Sequence, residues 1–164
     1  MLLDLRGIMD NPGSEITFEY EPDMTNVQAG SILQIKENPK IKGKVTNRAG
    51  VPVLNVPLDV ICLCSCARCL KEFELPVSLQ ITAYLTEESE TGLDTEYYFI
   101  IDNKIDLDEI IISEFLLNID ERILCFDNCP GLCAKCGFDL NNGSCDCKDD
   151  IDPRLAKLAE LLED

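Results

Sequence analysis

Residues 58–85 read LDVICLCSCARCLKEFELPVSLQITAYL. Leu58-Asp-Val-Ile-Cys62 and the run from Phe73 to Leu85 follow a short, strand-like alternation of apolar and polar residues. That period belongs to a strand with one face against a core. Cys62, Cys64 and Cys66 continue it, so their side chains share one face. Between the two runs lies Cys66-Ala-Arg-Cys69, a Cys-x-x-Cys knuckle. Its spacing lets two thiolates reach one tetrahedral ion at about 2.3 Å each.

Upstream, Ile16-Thr-Phe-Glu-Tyr20, Ile32-Leu-Gln-Ile35 and Ile41-Lys-Gly-Lys-Val45 carry the same short period. Pro12-Gly13, Ala29-Gly30, Asn38-Pro39 and Ala49-Gly50 punctuate them as turns. Many short strands between turns predict an N-terminal antiparallel sheet that curls or closes into a barrel. Downstream, Tyr97 to Ile101 reads as a last strand. Asp106-Leu-Asp-Glu109 then opens a helix in the manner of a capping box, with Asp106 as N-cap. Leu107, Ile110, Ile111, Phe115 and Ile119 follow at helical spacing, which predicts a helix over 107–120 packed on the sheet. The fold class is α+β.

Residues 125–150 are rich in Cys, Gly, Asn and Asp and lack a periodic apolar pattern. Such a piece needs an external staple. Asp152-Pro-Arg-Leu155 then starts a short final helix, with Leu155, Leu158, Ala159 and Leu162 as its apolar stripe. The chain accordingly divides into a β-rich unit with its helix, 1–121, and a cysteine-rich, zinc-ribbon-like segment with its helix, 122–164.

Ten cysteines are present, and eight fall into groups. The preferred pairing joins Cys66 and Cys69 to Cys125 and Cys129, a long-range site that anchors the cysteine-rich tail to the sheet. The second site takes Cys133, Cys136, Cys145 and Cys147 and staples a local loop. Soft, closed, all-thiolate coordination favours one or two structural Zn2+ ions over an iron–sulfur cluster. Cys62 and Cys64 read most simply as buried core thiols, although the spacing leaves an exchange with one of the eight open.

Net charge is −17, histidine and tryptophan are absent, and aromatics make up 6%. These counts exclude His-dependent catalysis, His-ligated metals and an all-over basic nucleic-acid surface. No glycine-rich phosphate loop or Gly-x-Ser-x-Gly elbow occurs. Residues 87–121 hold 12 acids against one base, Lys104, and offer a surface for a basic protein. Lys40, Lys42 and Lys44 lie on one face of a strand and are the candidate phosphate contacts to RNA. The competing reading is a solvated face of an edge strand. The opening Met1-Leu-Leu-Asp-Leu-Arg-Gly lacks the pattern of a secretory signal, and no apolar run is long enough for a membrane span. A cytoplasmic protein with reduced thiols is expected.

Several motifs occur in order: Cys66-Ala-Arg-Cys69-Leu70 with Phe73, Ile105-Asp-Leu-Asp-Glu109-Ile, Cys129-Pro-Gly-Leu-Cys133-Ala-Lys-Cys136-Gly137, Asp139-Leu-Asn141, Cys145-Asp-Cys147 and Asp152-Pro-Arg-Leu-Ala156-Lys-Leu158. Together they resemble the YceD family of large ribosomal RNA subunit accumulation proteins, from about residue 58 to the C-terminus. The resemblance implies a non-enzymatic bacterial or plastid factor that supports accumulation or processing of 23S rRNA. The acidity of the chain directs the expected contact to a basic large-subunit ribosomal protein or assembly factor, with rRNA contacted indirectly and no small-molecule substrate. The alternatives are a zinc-stapled interaction module unrelated to the ribosome, a metal-dependent nuclease and a dithiol oxidoreductase.

Overall fold

The alternation at residues 58–85 forms most of a long antiparallel hairpin. The computed structural model describes residues 1–87 and 97–147. The final helix expected from Asp152 and acidic residues 88–96 lie outside the described residues. In chain order the elements are β1 (Leu2–Asp4), α1 (Arg6–Met9), β2 (Glu15–Tyr20), β3 (Ile32–Ile35), β4 (Ile41–Arg48), β5 (Val51–Ser65), β6 (Glu72–Thr86), β7 (Tyr97–Phe99), β8 (Lys104–Asp106) and α2 (Leu107–Asn118). A single 3-10 turn follows at Leu140–Asn142.

β5 and β6 pair from Val53↔Tyr84 to Ser65↔Glu72, which places residues 66–71 at the tip of the hairpin. β4 joins the Val51–Asn55 end of β5 through Ala49 and Gly50, whose φ angles are 54° and 97°. Two consecutive positive φ values define the tight turn whose twist suits a hairpin. Asn47 supports this turn from a buried position. Its Oδ1 accepts from Gly50 N at 2.8 Å, and its Nδ2 donates to the carbonyls of Ile8 and Met9 at 2.7 and 3.0 Å. β3 pairs with β5 near the opposite end, at Cys62–Cys64, with a register irregularity between Ile32 and Gln34.

The main sheet runs β2-β4-β5-β6-β7, with β3 also on β5, and β1 and β8 form a separate pair. The predicted barrel closure is not formed: β2 and β7 end the strand order without pairing. Burial comes instead from a helix layer. α2 packs against β6 and buries Leu107, Ile110, Ile111 and Phe115 in the core formed by β5 and β6. The antiparallel expectation also fails at the last strand, because β7 pairs with β6 in parallel. The α2 start follows its sequence signal, with Asp106 Oδ1 accepting from Asp108 N at 3.0 Å. Tyr20 on β2 donates its hydroxyl to the Asp108 carboxylate and ties the sheet edge to the helix start.

Gly43 on β4 lies directly opposite Phe18 on β2. A Cβ there would overlap the Phe18 ring and stand 2.9 Å from Val56 Cγ2, so the aromatic side chain occupies the room a side chain would need. Gly43→Ala is expected to destabilise the fold by about 1–3 kcal/mol through overpacking. Phe18→Leu in the same chain should recover part of the loss, and urea unfolding of both single variants and the double variant measures the coupling.

Candidate metal centres

The tip of the β5–β6 hairpin is built around sulfur. Cys66, Cys69 and Cys129 are buried, and Cys125 is half-buried. All four Sγ atoms lie within 4.8 Å of one another. Cys66 and Cys129 are 3.8 Å apart, and Cys69 and Cys125 are 3.7 Å apart. A tetrahedron with 2.3 Å metal–sulfur arms has edges of about 3.8 Å, so these separations suit one ion bound by four thiolates. Cys133, Cys136, Cys145 and Cys147 form the second group, again within 4.8 Å. Here Cys133 and Cys145 are half-buried, and Cys136 and Cys147 are exposed. Cys62 and Cys64 point into the main core, where burial pushes both thiols up, Cys62 to about 11.

The two Cys-x-x-Cys loops share one backbone design. Cys66 N donates to Lys71 O at 2.9 Å, and Leu70 N donates to Cys66 O at 3.0 Å. Cys133 N donates to Phe138 O and Gly137 N donates to Cys133 O, both at 2.8 Å. The residue after each second cysteine has a positive φ, 62° at Leu70 and 73° at Gly137. This curl turns backbone N–H groups toward the first sulfur of each knuckle. Burial pushes the Cys66 thiol up, but N–H groups of Cys69, Cys125 and Arg68 outweigh it and hold the thiol down at about 6. N–H groups of Cys136 and Lys135 bring Cys133 down to about 6 as well. Burial drives Cys125 up to about 12, and its neighbouring thiols add to the rise. Cys147 is pushed to about 12, chiefly by its thiol contact with Cys136.

Backbone contacts seat the segment after α2 against the hairpin tip. Ser31 Oγ accepts from Ile123 N and donates to Glu121 O, both at 3.1 Å. Ala67 N donates to Ile123 O at 2.9 Å. Arg68 Nη1 donates to Cys129 O at 2.8 Å, and Leu132 N donates to Arg68 O at 3.2 Å. Gly131, with a φ of 82°, permits this approach, since a Cβ would stand 2.9 Å from Arg68 O. Ser31 is a support residue that the sequence reading misses, and Arg68, readable as a cation beside the knuckle thiols, acts here through its bond to the Cys129 carbonyl. Arg68 at least sits inside a knuckle, whereas nothing near Ser31 in sequence marks it.

The lysines lie elsewhere. β4 pairs with the Val51–Asn55 end of β5, away from the hairpin tip. Lys44 lies where β4 is flanked by both β2 and β5, Lys42 lies where β4 pairs with β2 alone, and Lys40 precedes the strand, so the edge-strand reading fails at Lys44. Lys42 pairs with Glu19 at 2.6 Å and Lys44 with Glu15 at 3.5 Å, while Lys40 has no carboxylate partner among the described residues. Among the described residues no helix is long and apolar enough to cross a membrane.

The fold and sulfur groups define an α+β sheet protein with two four-cysteine groups that could hold metal ions. A family model described as large ribosomal RNA subunit accumulation protein YceD matches residues 54–162, and the chain belongs to that family. Among curated proteins, it is 36% identical over 105 residues to uncharacterized proteins of Mycobacterium bovis and Mycobacterium tuberculosis. Those alignments cover 59% of this chain and 49% of each relative. An uncharacterized protein of Mycobacterium leprae is 34% identical over 107 residues, covering 59% of this chain and 46% of the relative. The chain thus spans about half the length of these curated relatives. No solved structure matches it.

In the reduced, metal-free chain at pH 7, Cys133 is expected to react with iodoacetamide first. It combines a lowered pKa with partial access, whereas Cys66 is lowered but buried. Peptide mapping after brief alkylation tests the order, and earlier labelling of Cys125 or Cys147 would contradict it. For the lowered thiols, the folded state favours the thiolate. Their contribution to stability is present above about pH 9 and is lost as pH falls through about 6.

Proposed function

We propose that the chain is a non-enzymatic, cytoplasmic bacterial factor that supports accumulation or processing of 23S rRNA. Family membership over residues 54–162 carries this reading, because the match spans the hairpin, α2 and both cysteine groups. Each group holds one Zn2+ through four thiolates, which leaves no open coordination position and makes the ions structural. The first ion fixes the start of the cysteine-rich segment, at Cys125 and Cys129, to the β-rich unit at Cys66 and Cys69.

Contact with the large subunit runs through a basic ribosomal protein or assembly factor. A net charge of −17 opposes close approach to phosphates but favours a cationic protein partner. The Glu19 and Glu15 pairings reduce the cationic character of Lys42 and Lys44. Any phosphate contact by Lys40, Lys42 and Lys44 is therefore a local supplement.

Deleting the gene is expected to lower the 23S to 16S rRNA ratio, with large-subunit precursors changed and small-subunit rRNA spared. The intact chain should restore the ratio, and Cys66→Ser should not. An unchanged ratio would set this reading aside in favour of a zinc-stapled module with another partner. Metal analysis of the reduced protein should find two Zn2+ per chain, and chelation should lower its unfolding temperature.

A further inference from the structure

We propose that the outer group, Cys133, Cys136, Cys145 and Cys147, is a redox-released metal site, with Cys136 and Cys147 joined in a disulfide as the ion leaves. This rests on the reading above that both groups hold Zn2+. With zinc bound all eight sulfurs are thiolates, so access decides which ones an oxidant attacks. The groups differ sharply in access. Cys66 and Cys129 are 0% exposed and Cys69 is 7% exposed, which leaves the half-buried Cys125 as the one inner sulfur with more than marginal access. Cys136 and Cys147 are exposed and lie on the two arms of the outer group.

The groups also differ in what holds them. The inner ligands come from two segments locked by the Ser31, Ala67 and Arg68 contacts. The outer arm that carries Cys145 and Cys147 has no regular secondary structure over 143–147. The loop between the arms is held by the Leu132↔Asp139 bridge, by the Cys133 N to Phe138 O and Leu140 N to Gly131 O bonds at 2.8 and 2.9 Å, and by Cys129 Sγ, 3.5 Å from Asn141 Oδ1. Closing a disulfide from sulfurs already within 4.8 Å needs only a local shift, which this arm can make. Two zinc-bound thiolates, one hydrogen peroxide and two protons give one disulfide, two waters and free Zn2+. The thiolates are oxidised, and the peroxide is reduced. The inner centre and the sheet stay intact, so oxidation would remodel only the outer loop and return on reduction with zinc.

The test treats the reduced, zinc-loaded full chain with hydrogen peroxide while a chromophoric chelator reads free zinc. Half the bound zinc should be released, with the far-ultraviolet dichroism retained and a Cys136–Cys147 disulfide found by peptide mapping. Dithiothreitol with added zinc should reverse the change. Cys136→Ser/Cys147→Ser in the full chain should fold, bind one zinc and hold it against peroxide. Release of both ions together, release from the inner group first, or retention of both at peroxide levels that oxidise free thiols would overturn the proposal alone. A reduced chain that binds no zinc would overturn the metal reading and this proposal with it.

Discussion

Four sulfurs hold the end of the β5–β6 hairpin against chain 63 and 56 positions further on. The rest of the cysteine-rich region depends on that junction, because residues 125–147 have no periodic apolar face with which to bury a core. Among the described residues the one buried cluster beyond the main core consists of Cys66, Cys69 and Cys129, packed by Phe73, Leu124, Cys125 and Leu132. That cluster is too small to fix a segment by hydrophobic burial alone. Polar contacts from Ser31 and Arg68 set the approach of the two segments, and the sulfur group closes it. An ion at this point would constrain a long loop, where a cross-link has the largest entropic effect on the unfolded chain.

Charge separates two roles that could be confused in so acidic a protein. Lys42 and Lys44 lie on a solvated face, and each meets a glutamate from β2. Exposed pairs of this kind contribute little to stability. Their effect here is to moderate a positive patch that the composition makes look prominent. The acidic excess is left to set long-range attraction, which acts on partner choice and association rate more than on fold.

What could be read from residues alone follows the physics of range. The knuckles were legible because ligand chemistry imposes a local spacing, and both sulfur groups bring together the residues that the spacing suggested. The strands of β5 and β6 were legible from period two, and α2 from Asp106 and its apolar face. Closure of the sheet was not, because alternation shows that one face is buried and not what covers it; α2 does the covering. The parallel pairing of β7 was hidden for the same reason, since direction is set by the path of the chain between strands. The interior position of β4 depends on β2 pairing beyond it, which no property of Lys40 to Lys44 encodes. The need for glycine at position 43 follows from Phe18 opposite it, which lies 25 positions away in sequence.

The two knuckles show how one ligand geometry is reached from different starting points. Gly137 adopts its positive φ at no steric cost. Leu70 adopts nearly the same angle at a cost of about 1–2 kcal/mol, and its side chain is 66% exposed, so burial does not offset it. Such a conformation persists only where the surroundings over-determine it. At Leu70 they do. The loop closes a hairpin whose register runs unbroken from Ser65↔Glu72 to Val53↔Tyr84, and the Cys66–Lys71 and Leu70–Cys66 bonds leave the backbone no other path. The outer knuckle has the matching Cys133–Phe138 and Gly137–Cys133 bonds and the Leu132↔Asp139 bridge but closes no long hairpin, and there the permissive residue is present. The inner sulfurs are thus positioned at the end of a long paired hairpin and the outer ones by a short irregular loop, so the two four-cysteine groups stand on unlike supports.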